Sequence, residues 1–245
     1  MRAGLLLLLA VALAAAAAVP ARAADLVTRP HAKRPLSDTK AAKLVKRGRF
    51  EPRPANRDGT HRVPTAAQLR AFRAQSEMPY ARHVTGRFRG TTDEVIQWAA
   101  RKWGFKPDLL RAVATVESWW RMSTLGDDGD SFGLFQVRRP YHCVEPVCEQ
   151  FRGDAALNAD YYGGILRSYY DGRQTRLHTV AGDERSGDER SARGRGRRYR
   201  KRDLWGSVGA WFSGRWWNEP ARGYVREVKR RLAERTWRSR DFRGG

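Results

Sequence analysis

Two adjacent helix signals in residues 91–121 constrain the fold of this chain more than any other feature. Thr91 and Glu94 have the Ser/Thr-x-x-Glu spacing of a capping box, and Gly104 stands where a helix C-terminal cap belongs. Pro107, a residue type preferred in the first turn of a helix, begins a second helical pattern that continues to about Arg121. The spacing therefore predicts two consecutive helices with a short connection.

Further helical patterns follow in the second half of the chain. Asp154 can cap a third helix that ends at Gly172, and its apolar side chains recur every four residues: Leu157, Tyr161, Ile165 and Tyr169. Two more helices are predicted at roughly 204–212 and 220–237. Only residues 127–137 suggest a small hairpin. The predicted fold class is mainly α with a small β or loop region, in one domain at 91–240.

The first 23 residues have the pattern of a secretory signal peptide. Arg2 provides a positive start, residues 5–19 form a nearly unbroken Leu/Ala/Val run, and Ala21-Arg22-Ala23 has the small-x-small form of a cleavage site. The apolar run is shorter than the roughly 20 residues that a helix needs to span a bilayer. An uncleaved membrane anchor is the alternative. The sequence predicts an exported protein, periplasmic or extracellular.

Basic residues dominate two segments that have little apolar periodicity. The chain has 48 Lys plus Arg against 26 Asp plus Glu, a formal net charge of +22. Residues 24–90 are rich in Arg and Pro and are predicted to form a mostly disordered basic arm, with a short helix near 65–74. Residues 173–203 are predicted to be a disordered basic insert within the domain.

The positive charge favours anionic partners. For an exported protein these are anionic cell-wall polymers or a membrane surface, contacted through the basic arm, and no nucleic acid partner is expected. A solvated spacer is the alternative interpretation of the arm. We expect the protein to be a monomer.

Cys143 and Cys148 are the two cysteines of the chain. Exported together into an oxidising compartment and five residues apart, they are predicted to form a local disulfide. His142 beside Cys143 suggests a metal site as the alternative, but no second ligand pair completes a set of four. No metal is therefore expected.

Glu117 stands in the apolar stripe of the second predicted helix and so faces the core. The other members of this stripe are Leu110, Val113, Ala114 and Trp120. An ionised carboxylate is costly in apolar surroundings, so desolvation should raise the pKa of Glu117. A carboxyl with a raised pKa can donate a proton to a glycosidic oxygen. The alternative is an ion pair with Arg121, four residues further along the helix.

A loop rich in Gly and Asp follows this helix at residues 126–136. Its glycines permit tight turns, and Ser131 and Gln136 are polar groups that could orient a carboxyl or an N-acetyl sugar. A calcium-binding EF-hand is excluded, because the twelfth position counted from Asp128 is Arg139 and not a bidentate Glu.

Glu117-Ser118 on a helix, followed by Gly-x-Ser-x-Gly-Leu-x-Gln at 129–136, resembles the soluble lytic transglycosylase family of the lysozyme-like superfamily. The resemblance covers residues 92–172 and 204–236. It implies a lysozyme-like helical domain that cleaves peptidoglycan glycan strands. In that family one Glu protonates the bond between N-acetylmuramic acid and N-acetylglucosamine. The same Glu then accepts the proton of the muramyl C6 hydroxyl, which gives a 1,6-anhydro product without a cofactor.

The resemblance also implies roles for particular residues. Glu117 would be the catalytic acid and base. Five residues would bind substrate or line its pocket: Ser131, Phe132, Gln136, Trp211 and Tyr224. The chain departs from the family at Ala210-Trp211-Phe212-Ser213-Gly214, where the usual pattern is Ala-Tyr-Asn-x-Gly. An aromatic wall is retained there, but a polar contact is replaced by Phe212.

Two other functions fit parts of the sequence. A hydrolytic muramidase needs a second carboxylate, and Asp127, Asp128 or Asp130 could supply it, although acidic residues in such turns often serve only to bond the backbone. A catalytically inactive, exported polyanion-binding protein would use the basic segments alone. That function gives no reason for Glu117 on an apolar stripe.

Overall fold

The computed structural model describes residues 23–179 and 198–244. Residues 1–22, which hold nearly all of the predicted signal peptide, lie outside the described residues. So do residues 180–197, the central part of the predicted basic insert. In the described part no helix is long and apolar enough to cross a membrane.

The described chain is mainly helical, which confirms the predicted fold class. Its helices, in chain order, are α1 (Ala23–Leu26), α2 (Asp38–Ala42), α3 (Arg57–Thr60), α4 (Ala66–Gln75), α5 (Thr92–Trp103), α6 (Pro107–Ser118), α7 (Val147–Gly153), α8 (Ala155–Tyr170), α9 (Arg176–Thr179), α10 (Leu204–Ser213), α11 (Glu219–Glu234) and α12 (Arg240–Gly244). Three two-residue strands, β1 (Leu125–Gly126), β2 (Ser131–Phe132) and β3 (Val137–Arg138), form a small antiparallel sheet in the order β1-β2-β3.

Helices α5 and α6 begin as the sequence predicts. The Thr91–Glu94 capping box is present, and Gly104 ends α5 with a left-handed backbone at φ 82°. Helix α6 starts at Pro107 but ends at Ser118, three residues before the predicted end. It stops there because Trp119 and Trp120 both have positive φ, which a right-handed helix cannot contain.

Helix α8 is the centre of the domain and is buried along its whole length. It packs against α5 on one side and against α10 on another. Gly163 and Gly164 let the indole of Trp103 lie directly on the helix, since a Cβ at Gly163 would collide with that ring. The four-residue repeat read from the sequence therefore marks only one of several buried faces.

The small sheet forms where a hairpin was predicted. Gly126 pairs with Ser131, and Phe132 pairs with both Leu125 and Val137. The sheet follows α6 directly, so it holds the Gly/Asp-rich loop beside the C-terminal end of the helix that carries Glu117.

The prediction of a mostly disordered arm is wrong for residues 23–90 as the structure describes them. Leu69 and Phe72 of α4 and Ala41 of α2 are buried against the domain, and α4 has a capping box, as expected of the one helix predicted in this segment. Arg47 pairs with Glu94 at 2.9 Å. The few apolar side chains suffice because they dock on α5, α7 and α8, and such long-range contacts leave no local periodicity to detect.

A buried ionic cluster fastens this amino-terminal segment to the helices. The Lys102 Nζ lies 2.7 Å from Oδ1 of Asp38 and 2.6 Å from Oδ2 of Asp160. The Asp160 carboxylate also accepts hydrogen bonds from the backbone of Thr85 and from the Trp103 indole, at 2.8 and 2.7 Å. The cluster thus joins α2 and the segment before α5 to α8.

The predicted disulfide is confirmed. Cys143 and Cys148 are bonded, with their Cα atoms 5.2 Å apart, and they close the loop between β3 and α7.

Candidate active site

Glu117 lies in the last turn of α6, on the stripe expected from the sequence. The stripe residues Leu110, Val113, Ala114 and Trp120 are all fully buried. Glu117 itself is partly buried. Helix α6 packs on both α5 and α11, and this places the carboxyl of Glu117 in front of α11.

Two hydrogen-bond donors converge on a single oxygen of this carboxyl. The Tyr224 hydroxyl of α11 donates to Oε1, and so does the Trp211 indole nitrogen of α10, at 3.0 Å. Among the described residues no donor reaches Oε2. Oε2 is therefore the oxygen on which a proton can be held and from which it can be transferred.

Burial raises the pKa of Glu117 to about 7, because protein atoms surround the carboxyl even though part of the side chain reaches solvent. The hydrogen bonds from Tyr224 and Trp211 oppose this rise, since both stabilise the charged form. The negative charge of Asp127 adds to it. Near neutral pH the group is consequently divided between its acid and its base form.

The ion pair between Glu117 and Arg121 does not form in the described structure. The positive charge of Arg121 acts instead on Arg53, whose pKa is lowered first by burial and then by this neighbour. Glu117 is thus held by two neutral donors, and neither of them would stabilise its ionised form as strongly as a guanidinium.

Ser131 and Gln136 hold the loop beside Glu117, and the structure shows no hydrogen bond from either to its carboxyl. The Ser131 hydroxyl donates to Oδ2 of Asp127 at 2.5 Å. The Gln136 amide donates to the backbone carbonyls of Thr124 and Gly133, at 3.1 and 2.9 Å. Both side chains are buried, so they fix the loop that carries Asp127.

Phe132 is not placed to touch a substrate, contrary to the role that the resemblance implies. Its ring is fully buried and lies under the guanidinium of Arg152, 4.7 Å from the ring centroid. As an inward-facing residue of β2, it anchors the sheet to the core.

An aromatic wall continues on both sides of the carboxyl. Trp211 stacks on His142 at 4.6 Å, and Tyr224 stacks on Phe212 at 4.8 Å with the two rings nearly parallel. Phe212 is 56% exposed, so its outer face is open to a ligand. Phe212, which stands where the family that the motifs resemble has Asn, therefore presents an apolar surface beside the tyrosine that contacts Glu117.

Sequence reasoning missed His142 and Tyr162 as neighbours of the site. Burial lowers the pKa of His142 to about 3, so its ring is neutral when it stacks on Trp211. The edge of Tyr162 meets Trp211 from α8, and burial together with the charge of Glu117 raises the pKa of Tyr162 well above its ordinary value. The sequence indicates His142 only as an alternative metal ligand, and no sequence pattern singles out Tyr162.

Within residues 23–179 and 198–244, no cluster of three or more His, Cys, Asp or Glu side chains could hold a metal ion. Compared with known proteins, the chain matches no protein-family model, no curated protein and no solved structure. Its relation to the soluble lytic transglycosylases therefore stays a resemblance in the motifs around Glu117.

Proposed function

We propose that this protein is an exported peptidoglycan lytic transglycosylase. It would cleave the bond between N-acetylmuramic acid and N-acetylglucosamine without using water. The observation that carries the proposal is the setting of Glu117, a carboxyl whose pKa burial raises to about 7 and whose Oε1 accepts from both Tyr224 and Trp211. Such a carboxyl can supply a proton near neutral pH.

In the first step the acid form of Glu117 acts on the glycosidic oxygen. The Oε2–H bond breaks and the proton passes to that oxygen while the bond from C1 of the muramyl unit to it breaks. The N-acetylglucosamine unit leaves as an alcohol. Because both protein donors occupy Oε1, they orient the carboxyl so that Oε2 carries the proton outward.

In the second step the carboxylate takes a proton back. The C6 hydroxyl oxygen of the muramyl unit bonds to C1, and its proton returns to Glu117. The product has a 1,6-anhydro ring and the enzyme is restored. A pKa near the working pH suits both steps, since the same group must first give and then accept a proton.

A hydrolytic muramidase is the second candidate, and one observation favours it. The charge of Asp127 raises the pKa of Glu117, so a second carboxylate is close to the first. Asp127 accepts from Ser131 at 2.5 Å and lies 3.5 Å from the guanidinium of Arg138. Both contacts hold the carboxyl of Asp127 in place, as the positioned second carboxylate of a hydrolytic mechanism requires.

Products released from purified peptidoglycan test the proposal. Mass spectrometry should find anhydro-muropeptides, each lighter by one water molecule than the hydrolytic product. Reducing ends would instead indicate the muramidase. A polyanion-binding protein would release nothing, and its binding would weaken steeply as salt is added.

The matched variants are Glu117→Gln and Glu219→Gln. The first should release no product yet keep its circular dichroism spectrum and its binding to glycan. Glu219→Gln makes the same chemical change at an exposed position of α11. This variant should turn over substrate as fast as the wild type. Full activity of Glu117→Gln would end the proposal.

A further inference from the structure

A groove lies between the amino-terminal segment and the small sheet. Its volume is about 260 Å³, slightly below the roughly 300–1,000 Å³ of typical small-molecule sites. Its lining includes Asn56, Gly59, Arg62, Met122, Leu125 and Arg152. Glu117 is not part of that lining.

The floor of this groove is held by hydrogen bonds. Oδ1 of Asn56 accepts from the backbone of Met122 at 2.9 Å, and Nδ2 of Asn56 donates to the carbonyl of Trp120 at 2.6 Å. Gly59 faces the backbone of Gly153 so closely that a Cβ at Gly59 would lie 3.3 Å from its carbonyl oxygen. The amino-terminal segment thus forms one wall of the groove.

The rim of the groove is basic. Arg62 has no salt bridge within the described residues, and its charge acts on the carboxyl of Asp154. Burial raises the pKa of Asp154 to about 7, so near neutral pH this carboxyl cancels only part of the positive charge. Arg152 pairs with Glu149 at 3.2 Å, but both side chains are exposed. Such a pair contributes little stability, so Arg152 can bind another anion in its place.

Part of the remaining lining is apolar. Leu125 is 54% exposed, and the buried side chain of Met122 also lines the groove. Two arginines that share a groove with an exposed leucine suit a ligand that combines carboxylates with small aliphatic side chains.

We propose that this groove binds a short acidic peptide, with Arg62 and Arg152 holding its carboxylates and Leu125 contacting its aliphatic side chains. The inference rests on the proposed function, because muramic acid units of peptidoglycan carry short peptides with free carboxylates. Leu125 is two residues from Asp127, whose charge acts on Glu117. The turn that follows β1 thus connects the lining of the groove to the carboxyl that acts on Glu117, and a glycan held at Glu117 would present its peptide beside this turn.

Two substrates test the assignment: intact peptidoglycan and glycan strands from which an amidase has removed the peptides. The variant is the double substitution Arg62→Ala and Arg152→Ala. Its matched control is Arg70→Ala with Arg87→Ala, which removes the same charge from exposed positions outside the groove. For the groove variant, kcat/KM should fall at least about tenfold on intact peptidoglycan and stay within about twofold of the wild type on stripped strands.

Equal losses on both substrates would overturn the proposal, because general attraction to an anionic polymer would then explain them. No loss on either substrate would overturn it as well. The control pair should behave as the wild type on both.

A binding measurement separates this proposal from the proposed function. Peptides freed from the same peptidoglycan are titrated into the full mature protein by NMR. The wild type and Glu117→Gln should both bind them, and the groove variant should not. If the wild type cleaves neither substrate, the transglycosylase proposal fails. The titration then tests the groove by itself, and absence of peptide binding overturns the proposal that the groove binds peptide.

Discussion

The hydroxyl of Tyr224 donates a hydrogen bond to Oε1 of Glu117 across 107 residues of sequence. Burial raises the pKa of this tyrosine far above its ordinary value, so it stays protonated and can only act as a donor toward the carboxylate. The pair connects α6 to α11. It sets both the direction of the carboxyl and, in part, its affinity for a proton.

We expect Tyr224→Phe to move the alkaline limit of activity upward. The hydrogen bond from Tyr224 lowers the pKa of Glu117, so its loss should raise that pKa above about 7 and keep the acid form to higher pH. At the optimum, kcat should fall about tenfold because the carboxyl is less well oriented. The pH dependence of kcat measures both effects. If the alkaline limit of kcat moves to lower pH or stays in place, the role given to the Tyr224 hydroxyl is contradicted.

Stability should also depend on the protonation of Glu117. Its folded pKa of about 7 lies above its ordinary value, so the folded protein binds more protons than the unfolded chain between these two values. The free energy of unfolding therefore falls as pH rises through this window, by on the order of 2 kcal/mol from this group.

Glu117→Gln removes that dependence because Gln is neutral at every pH. Urea denaturation at pH 5 and pH 8 should show a smaller pH-dependent loss for the variant than for the wild type. Asp154, whose pKa is also raised to about 7, contributes equally to both proteins and cancels in the comparison. Parallel losses in the two proteins would mean that Glu117 is not desolvated.

Phe212 is predicted to act as a stacking surface for a sugar ring. It is exposed, and its ring lies parallel to that of Tyr224. Phe212→Ala should raise KM about fivefold with kcat within about twofold, as expected for the loss of about 1 kcal/mol of stacking. Phe212→Tyr retains the ring and should keep the KM of the wild type. A fall in kcat with unchanged KM would show that the ring serves only to support Tyr224.

Lys102→Met tests the docking of the amino-terminal segment. The substitution leaves the carboxylate of Asp160 buried without its cation, so the free energy of unfolding should fall by about 3 kcal/mol. Asp38→Asn is the milder control, because Asp38 is partly exposed and its loss leaves the pair of Lys102 and Asp160 intact. Chemical denaturation measures both. Equal stability of Lys102→Met and the wild type would mean that the cluster does not fasten the segment.

Local sequence patterns predicted the beginnings of the helices better than their ends. The capping box of Thr91 acts within one helical turn, and so does Pro107 at the start of α6. The effect of each is therefore visible in a few residues of sequence. Helix α6 ends three residues before its predicted end because Trp119 and Trp120 leave the helix and pack against Phe242. Nothing in the local spacing indicates that contact.

That residues 23–90 are folded could not be predicted either, because their structure also depends on contacts that are distant in sequence. Arg and Pro suggest disorder when a segment is considered alone. Here Phe72 is buried against Phe151 and Tyr161, and Asn56 bonds the backbone after α6. These contacts depend on partners far away in sequence, and the ordering of the segment follows from their combined burial.

By itself the sequence determined that Glu117 faces inward, because helix pitch alone places it on the same side as Leu110 and Val113. Only the tertiary structure decided what it meets there: Trp211 and Tyr224, which are brought together by the packing of α10 and α11 on α6 and α8. The proton affinity of the carboxyl depends on those neighbours and on its burial, which are properties of the packed helices and not of any one segment.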